Sequence, residues 1–170
     1  DLLVGALLDN YEATGDGNDA LYGGEGNDRL YGGPSGPSLR RFRGQSDSIA
    51  YDLLDGGEND DHLYGGTGPD DLTGGVGVDY LEGGTGEDTL VGSSGADTLI
   101  GGDQNDHLFG SASPNGMNGS HLDGGSGNDI LLGSSAGDML IGGAGADQIS
   151  SLQGNDFAYG HTESGAGDDL

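Results

Sequence analysis

Of the 170 residues, 40 are glycine and 30 are acidic against only 4 basic, giving a formal net charge of −26. So acidic a chain repels phosphate backbones and anionic lipid, which excludes nucleic acid and membrane surfaces as partners, and no apolar run approaches the ~20 residues of a membrane span. The lack of cysteine removes disulfide scaffolds, thiolate metal sites and catalytic thiols, and 31% hydrophobic residues without Trp cannot fill a thick core.

Taken in order, the chain is written in nines. Asp1-Leu2-Leu3 fits places six to eight of a repeat whose first half is missing. There is no initiator Met and no signal peptide, so the chain is expected to be a segment of a longer array. TGDGNDALY from Thr14 and GGEGNDRLY from Gly23 then put Asp19 and Asp28 in the sixth place. An insertion follows at Pro34–Ser46, carrying Arg40, Arg41 and Arg43. From Gly56 the period is clearest: GGENDDHLY, GGTGPDDLT, GGVGVDYLE, GGTGEDTLV, GSSGADTLI and GGDQNDHLF. Asp61, Asp70, Asp79, Asp88, Asp97 and Asp106 fill the sixth place, and Leu63, Leu72, Leu81, Leu90, Leu99 and Leu108 the eighth. A second insertion, within Gly110–Asp123, adds five residues and lacks the Asp. GGSGNDILL, GSSAGDMLI, GGAGADQIS and SLQGNDFAY then place Asp129, Asp138, Asp147 and Asp156, and a last partial repeat holds Asp169. One unit, 1–170, is expected, with repeats at 14–33, 47–109, 124–159 and 164–170 and insertions at about 34–46 and 110–123.

The residue types say what each nonapeptide can build. Glycine, Asn, Asp and Ser in the first six places tolerate positive φ and make turns. The last three places are apolar or β-branched, so a short three-residue strand is expected there, with the eighth-place Leu facing inward. Two repeats would complete one coil, and repeats i and i+2 would stack in parallel about 4.8 Å apart, as in a solenoid. Asp61 would then lie over Asp79 and Asp97, and Asp70 over Asp88 and Asp106. Unit charges at that spacing repel by about 3.5 kcal/mol at an effective dielectric of 20. Summed along the stack, this rivals a domain's whole stability of about 5–15 kcal/mol. A cation between the turns is therefore expected. With only carboxylate and carbonyl oxygens on offer, Ca²⁺ fits better than Mg²⁺. Zn²⁺ would want His or Cys, and His62, His107, His121 and His161 are too widely spread.

The repeated GGxGxDxUx resembles the RTX family, the hemolysin-type calcium-binding repeats. That resemblance implies an all-β parallel β-roll, a right-handed β-solenoid with calcium between turns, interrupted here by two loop insertions. It implies ligation by the sixth-place Asp19, Asp28, Asp61, Asp70, Asp79, Asp88, Asp97, Asp106, Asp129, Asp138, Asp147, Asp156 and Asp169. Turn carbonyls near Gly24, Gly26, Gly66, Gly68, Gly75, Gly77, Gly84, Gly86, Gly125, Gly127, Gly143 and Gly145 complete the implied ligand set. About ten Ca²⁺ ions would leave a net charge near −6, ordinary for a soluble domain. The resemblance also implies secretion through a bacterial type I exporter, with folding in external calcium, and neighbouring domains of a parent chain as partners. Asn59, Gln104 and Ala136 replace the fourth-place Gly, and Ser151-Leu152 the glycine pair, so weaker sites are expected there.

No catalytic constellation is present. HExxH is absent, a chain without Lys has no P-loop, and no GxSxG elbow occurs. Any catalytic domain would lie outside this chain. Two alternatives to a pure calcium module stand beside it. One is an adhesive or glycan-binding segment using the Arg40–Arg43 loop, or an outward aromatic row of Tyr22, Tyr31, Tyr64 and Phe109, against a glycan or cell surface. The other is an accessory module of a secreted protease, lipase or epimerase.

Overall fold

The computed structural model describes residues 2–4, 11–12, 20–25, 29–33, 51–110 and 119–160. They form sixteen strands: β1 Leu2–Val4, β2 Tyr11–Glu12, β3 Ala20–Glu25, β4 Arg29–Gly33, β5 Leu53–Glu58, β6 His62–Thr67, β7 Asp71–Val76 and β8 Tyr80–Thr85. The second half contributes β9 Thr89–Ser94, β10 Thr98–Asp103, β11 His107–Phe109, β12 His121–Ser126, β13 Ile130–Leu132, β14 Met139–Ala144, β15 Gln148–Ser150 and β16 Phe157–Tyr159. Odd-numbered strands make one parallel sheet and even-numbered strands the other, eight in each. Among the described residues there is no helix, and so none long and apolar enough to cross a membrane.

Each strand pairs with the strand one coil on, so Tyr80 faces Thr98 and Leu72 faces Leu90, two nonapeptides apart. The register survives both insertions, Ala20 facing Leu53 and Thr98 facing His121. An all-β parallel solenoid with two repeats per coil is thus what the period builds. Its core is one residue thick per strand: Leu54, Leu63, Leu72, Leu81, Leu90, Leu99, Leu108, Leu122, Leu131 and Leu140 form a single buried column between the sheets.

Most strands are longer than the three residues expected. In the regular repeats they run six residues, through the glycine pair and the third place, as in Tyr80-Leu81-Glu82-Gly83-Gly84-Thr85. Glycine is a poor strand former, but each glycine here stacks on its equivalent one coil away, Gly66 on Gly84 and Gly84 on Gly102. The backbones come so close that a Cβ on Gly84 would lie 2.2 Å from the Gly66 oxygen, and φ at Gly84 is +110°. Only glycine makes that approach without strain. Three-residue strands occur at β1, β11, β13, β15 and β16.

The expected aromatic row is split. Tyr22 lies on β3 and Phe109 on β11, in one sheet, whereas Tyr31 and Tyr64 stack in register in the other. The alternation of coil sides with every nonapeptide sends successive ninth places to opposite sheets. Tyr64 instead meets Tyr80, with centroids 5.7 Å apart, and Tyr80 meets His62 at 5.6 Å.

Candidate metal centre

Each sixth place sits where a turn enters a strand, and its side chain points into the roll. Asp61, Asp70, Asp79, Asp88, Asp97, Asp106, Asp129, Asp138 and Asp147 are all buried, at most 2% exposed, while Asp156 in the last described coil is half-buried. They form two ladders, one along each edge of the roll. On the first edge the Asp52 N–H donates to Asp70 Oδ1 at 2.9 Å, Asp70 N–H to Asp88 at 2.8 Å, and Asp88 N–H to Asp106 at 2.9 Å. Asp106 and Asp129 extend it to Asp147. On the second edge Asp61 donates to Asp79 at 2.9 Å and Asp79 to Asp97 at 3.0 Å. Each carboxylate thus ties its own coil to the one before, through one oxygen.

The other oxygen is the chemically telling one. Oδ2 of Asp70, Asp79, Asp88, Asp97, Asp106 and Asp129 is buried and has no hydrogen-bond partner. A buried, unpartnered carboxylate oxygen costs several kcal/mol unless something positive meets it. Among the described residues 51–110 and 119–160 there is no arginine or lysine to supply that charge, the four basic residues of the chain being Arg29, Arg40, Arg41 and Arg43. Burial accordingly pushes these groups up, Asp70 and Asp79 to about 7, Asp88 and Asp129 to about 6 and Asp106 to about 8, with Asp97 also raised. Neighbouring carboxylates add to the rise at Asp70, Asp79, Asp106 and Asp129, while the accepted N–H pulls against it.

Each such oxygen packs against a first-place glycine, where any side chain would displace it. A Cβ on Gly83 would lie 2.4 Å from Asp88 Oδ2 and 2.8 Å from the Gly101 oxygen; at Gly124 the corresponding atoms are Asp129 Oδ2 at 2.5 Å and the Gly142 oxygen at 2.6 Å. The carbonyls of the second and fourth places also point along the stack: a Cβ on Gly86 would meet the Gly68 oxygen at 2.1 Å, and one on Gly145 the Gly127 oxygen at 1.5 Å. Of the turn glycines singled out from sequence, Gly24, Gly66, Gly75, Gly84, Gly125 and Gly143 lie within strands, and Gly68, Gly77, Gly86, Gly127 and Gly145 in the turns or at their edges. No three His, Asp or Glu side chains converge among the described residues, so a cation here would draw on backbone carbonyls as well as carboxylates. An all-oxygen set with unpartnered buried carboxylates suits Ca²⁺, and it does not suit a thiolate- or imidazole-seeking metal.

Asp19, Asp28, Asp169 and Gly26 lie outside the described residues, as do the insertion at 34–46 and residues 111–118 of the second. Two ladder members escaped the reading of the repeat. Asp52 is buried as the first described member of the first ladder; the glycine-poor DSIAY before it hides the repeat, though Leu54 stands two residues on, where the Leu column requires it. Ser120, two residues before Leu122, holds the Asp place in the second insertion. The fourth-place substitutes Asn59 and Gln104 adopt the glycine conformation, with φ of 84° and 81°, and Leu152 in the replaced glycine pair has φ 65°.

No curated protein and no solved structure matches the chain. One family does: the RTX calcium-binding nonapeptide repeat matches in four copies, at residues 13–34, 55–90, 82–113 and 122–160. These spans cover well over half of the sequence and carry every described carboxylate of the two ladders except Asp52, and the chain belongs to the RTX calcium-binding repeat family.

Proposed function

We propose that this chain is a calcium-driven folding module of a larger exported protein, with the sixth-place carboxylates and turn carbonyls as ligands and about ten ions in all. The observation that carries the reading is the run of buried, unpartnered Oδ2 atoms on Asp70, Asp79, Asp88, Asp97, Asp106 and Asp129. Bound calcium supplies the positive charge that these stacked carboxylates lack. These carboxylates do two jobs: Oδ1 accepts the N–H of the coil before and sets the coil spacing, and the unpartnered Oδ2 is left to meet a cation. Because the ligands come from successive coils, the site exists only in the folded roll, and binding and folding are one equilibrium. Affinity at the weak, extracellular end, about 10⁻⁴–10⁻³ M, suits a protein that stays unfolded inside a cell and folds outside it. RTX repeats are typical of secreted proteins, which supports export of the parent chain.

Far-UV circular dichroism in EDTA at pH 8 should show coil, and millimolar Ca²⁺ should restore strand signal where equal Mg²⁺ does not. Full strand signal in EDTA at that pH, unchanged by calcium, would overturn the reading. A second reading, glycan adhesion on the same scaffold, draws on the outward His62–Tyr80–Tyr64 cluster. A glycan array in calcium, comparing the parent with Tyr80→Ala, tests it.

A further inference from the structure

The two edges of the roll are not equivalent. On the first, Asp70, Asp88, Asp106, Asp129 and Asp147 continue without a break. On the second, Asp97 is followed by Ser120, whose Oγ accepts the Asp97 N–H at 3.2 Å, and Ser120 N–H donates to Asp138 Oδ1 at 2.7 Å. Serine therefore keeps the hydrogen-bonded rung between coils and removes the charged second oxygen. The next rung is altered in a different way. Asp138 Oδ2 accepts the backbone N–H of Ser134, four residues earlier in its own turn, and Ser134 Oγ donates to Asp138 Oδ1 at 3.1 Å. Ser134 Oγ also accepts the Ala136 N–H at 3.0 Å, so this turn is closed on itself. Strand β13, which feeds the turn, ends at Leu132 instead of running on through the glycine pair, as strands in the regular repeats do.

Two independent observations thus meet at one place. Ser120 has no second oxygen, and that of Asp138 is consumed internally, whereas those of Asp79 and Asp97 on the same edge are unpartnered. We infer that Ser120 and Asp138 form a metal-free joint, which interrupts the calcium sites of the second edge after Asp97 while the first edge stays continuous. This rests on the calcium reading above. The joint is held by neutral and internal hydrogen bonds, so the coils on either side stay in register there without an ion.

The test is calcium titration calorimetry on the full 170-residue chain, with circular dichroism confirming that each variant folds in saturating calcium. Asp79→Asn should lose at least one ion from the stoichiometry or raise the half-saturation concentration severalfold. Asp138→Asn gives up one accepted hydrogen bond inside the joint and should leave the number of bound ions unchanged. Ser120→Asp should gain at least one ion, because its new oxygen would stand in line with Asp97 Oδ2. The joint is overturned if Asp138→Asn loses ions as Asp79→Asn does, or if a folded Ser120→Asp binds no more than the parent. A parent chain with a flat isotherm would instead overturn the calcium reading itself.

Discussion

Replacing Asp79 by asparagine should move the metal-free and calcium-loaded rolls in opposite directions. In the folded chain Asp79 is 2% exposed, and burial, assisted by the charges of Asp97, Asp61 and Asp60, raises it from 3.8 to about 7. A raised folded value means that its contribution to stability is complete below about 4 and is lost as pH climbs through about 7. The rise is about three units, and at 1.36 kcal/mol per unit the ionised side chain costs the metal-free roll about 4 kcal/mol at pH 8. Asparagine keeps an oxygen to accept the Asp61 N–H and carries no charge. Its amide hydrogens are buried in exchange, at a cost of about 1–3 kcal/mol. The net expectation is a metal-free roll stabilised by about 1–3 kcal/mol at pH 8, and unchanged or slightly weakened at pH 5, where ionisation costs the parent only about 1.6 kcal/mol. The strand signal in EDTA, followed by circular dichroism from pH 5 to 9, should fade as pH rises through about 6–8 in the parent, from the raised carboxylates. In the variant it should persist to higher pH. The same variant should need more calcium to fold fully. If Asp79→Asn weakens the roll in EDTA as much as in calcium, or if strand signal in EDTA grows with pH, the argument from buried uncompensated charge fails.

Two further outcomes follow from the packing. Leu99 is fully buried and stacks between Leu81 and Leu122, so Leu99→Ala should cost about 3–5 kcal/mol in saturating calcium, read from urea unfolding; a loss below 1 kcal/mol would contradict a close-packed column. Gly84→Ala, with its new methyl 2.2 Å from the Gly66 oxygen at φ +110°, should raise the calcium midpoint for folding severalfold or more, while Thr85→Ala next to it, with an exposed side chain, should leave the midpoint within twofold.

Much of this architecture could be read from the chain because one number governs it. A strict nine-residue period, with coil sides alternating, forces Asp61 onto Asp79 and Leu81 onto Leu99 without any knowledge of the loops. What the period conceals lies where residues break the pattern or share one letter. Asp138 and Asp88 look alike in sequence, yet only the turn geometry around Ser134 shows that one has spent both oxygens and the other has not. The extension of strands into the glycine pair was hidden for another reason. Glycine's weak propensity predicts a turn there, and it is overridden by in-register stacking on another glycine, which no single repeat reveals. Ser120 was obscured by the insertion before it, although Leu122 marks its place.

The constant register also has a kinetic side. Nearly every described strand finds its partner about 18 residues away, and its main contacts are with its own coil and the next. Closing one more coil therefore carries almost the same loop entropy wherever it happens, and growth from any formed pair can run as a zipper. The two insertions stretch that step to 33 and 23 residues, between Ala20 and Leu53 and between Thr98 and His121. With closure cost growing as about 1.5 RT times the logarithm of length, the added penalties are only about 0.5 and 0.2 kcal/mol. Long excursions can thus be spliced between coils with little effect on how fast or how far the zipper closes.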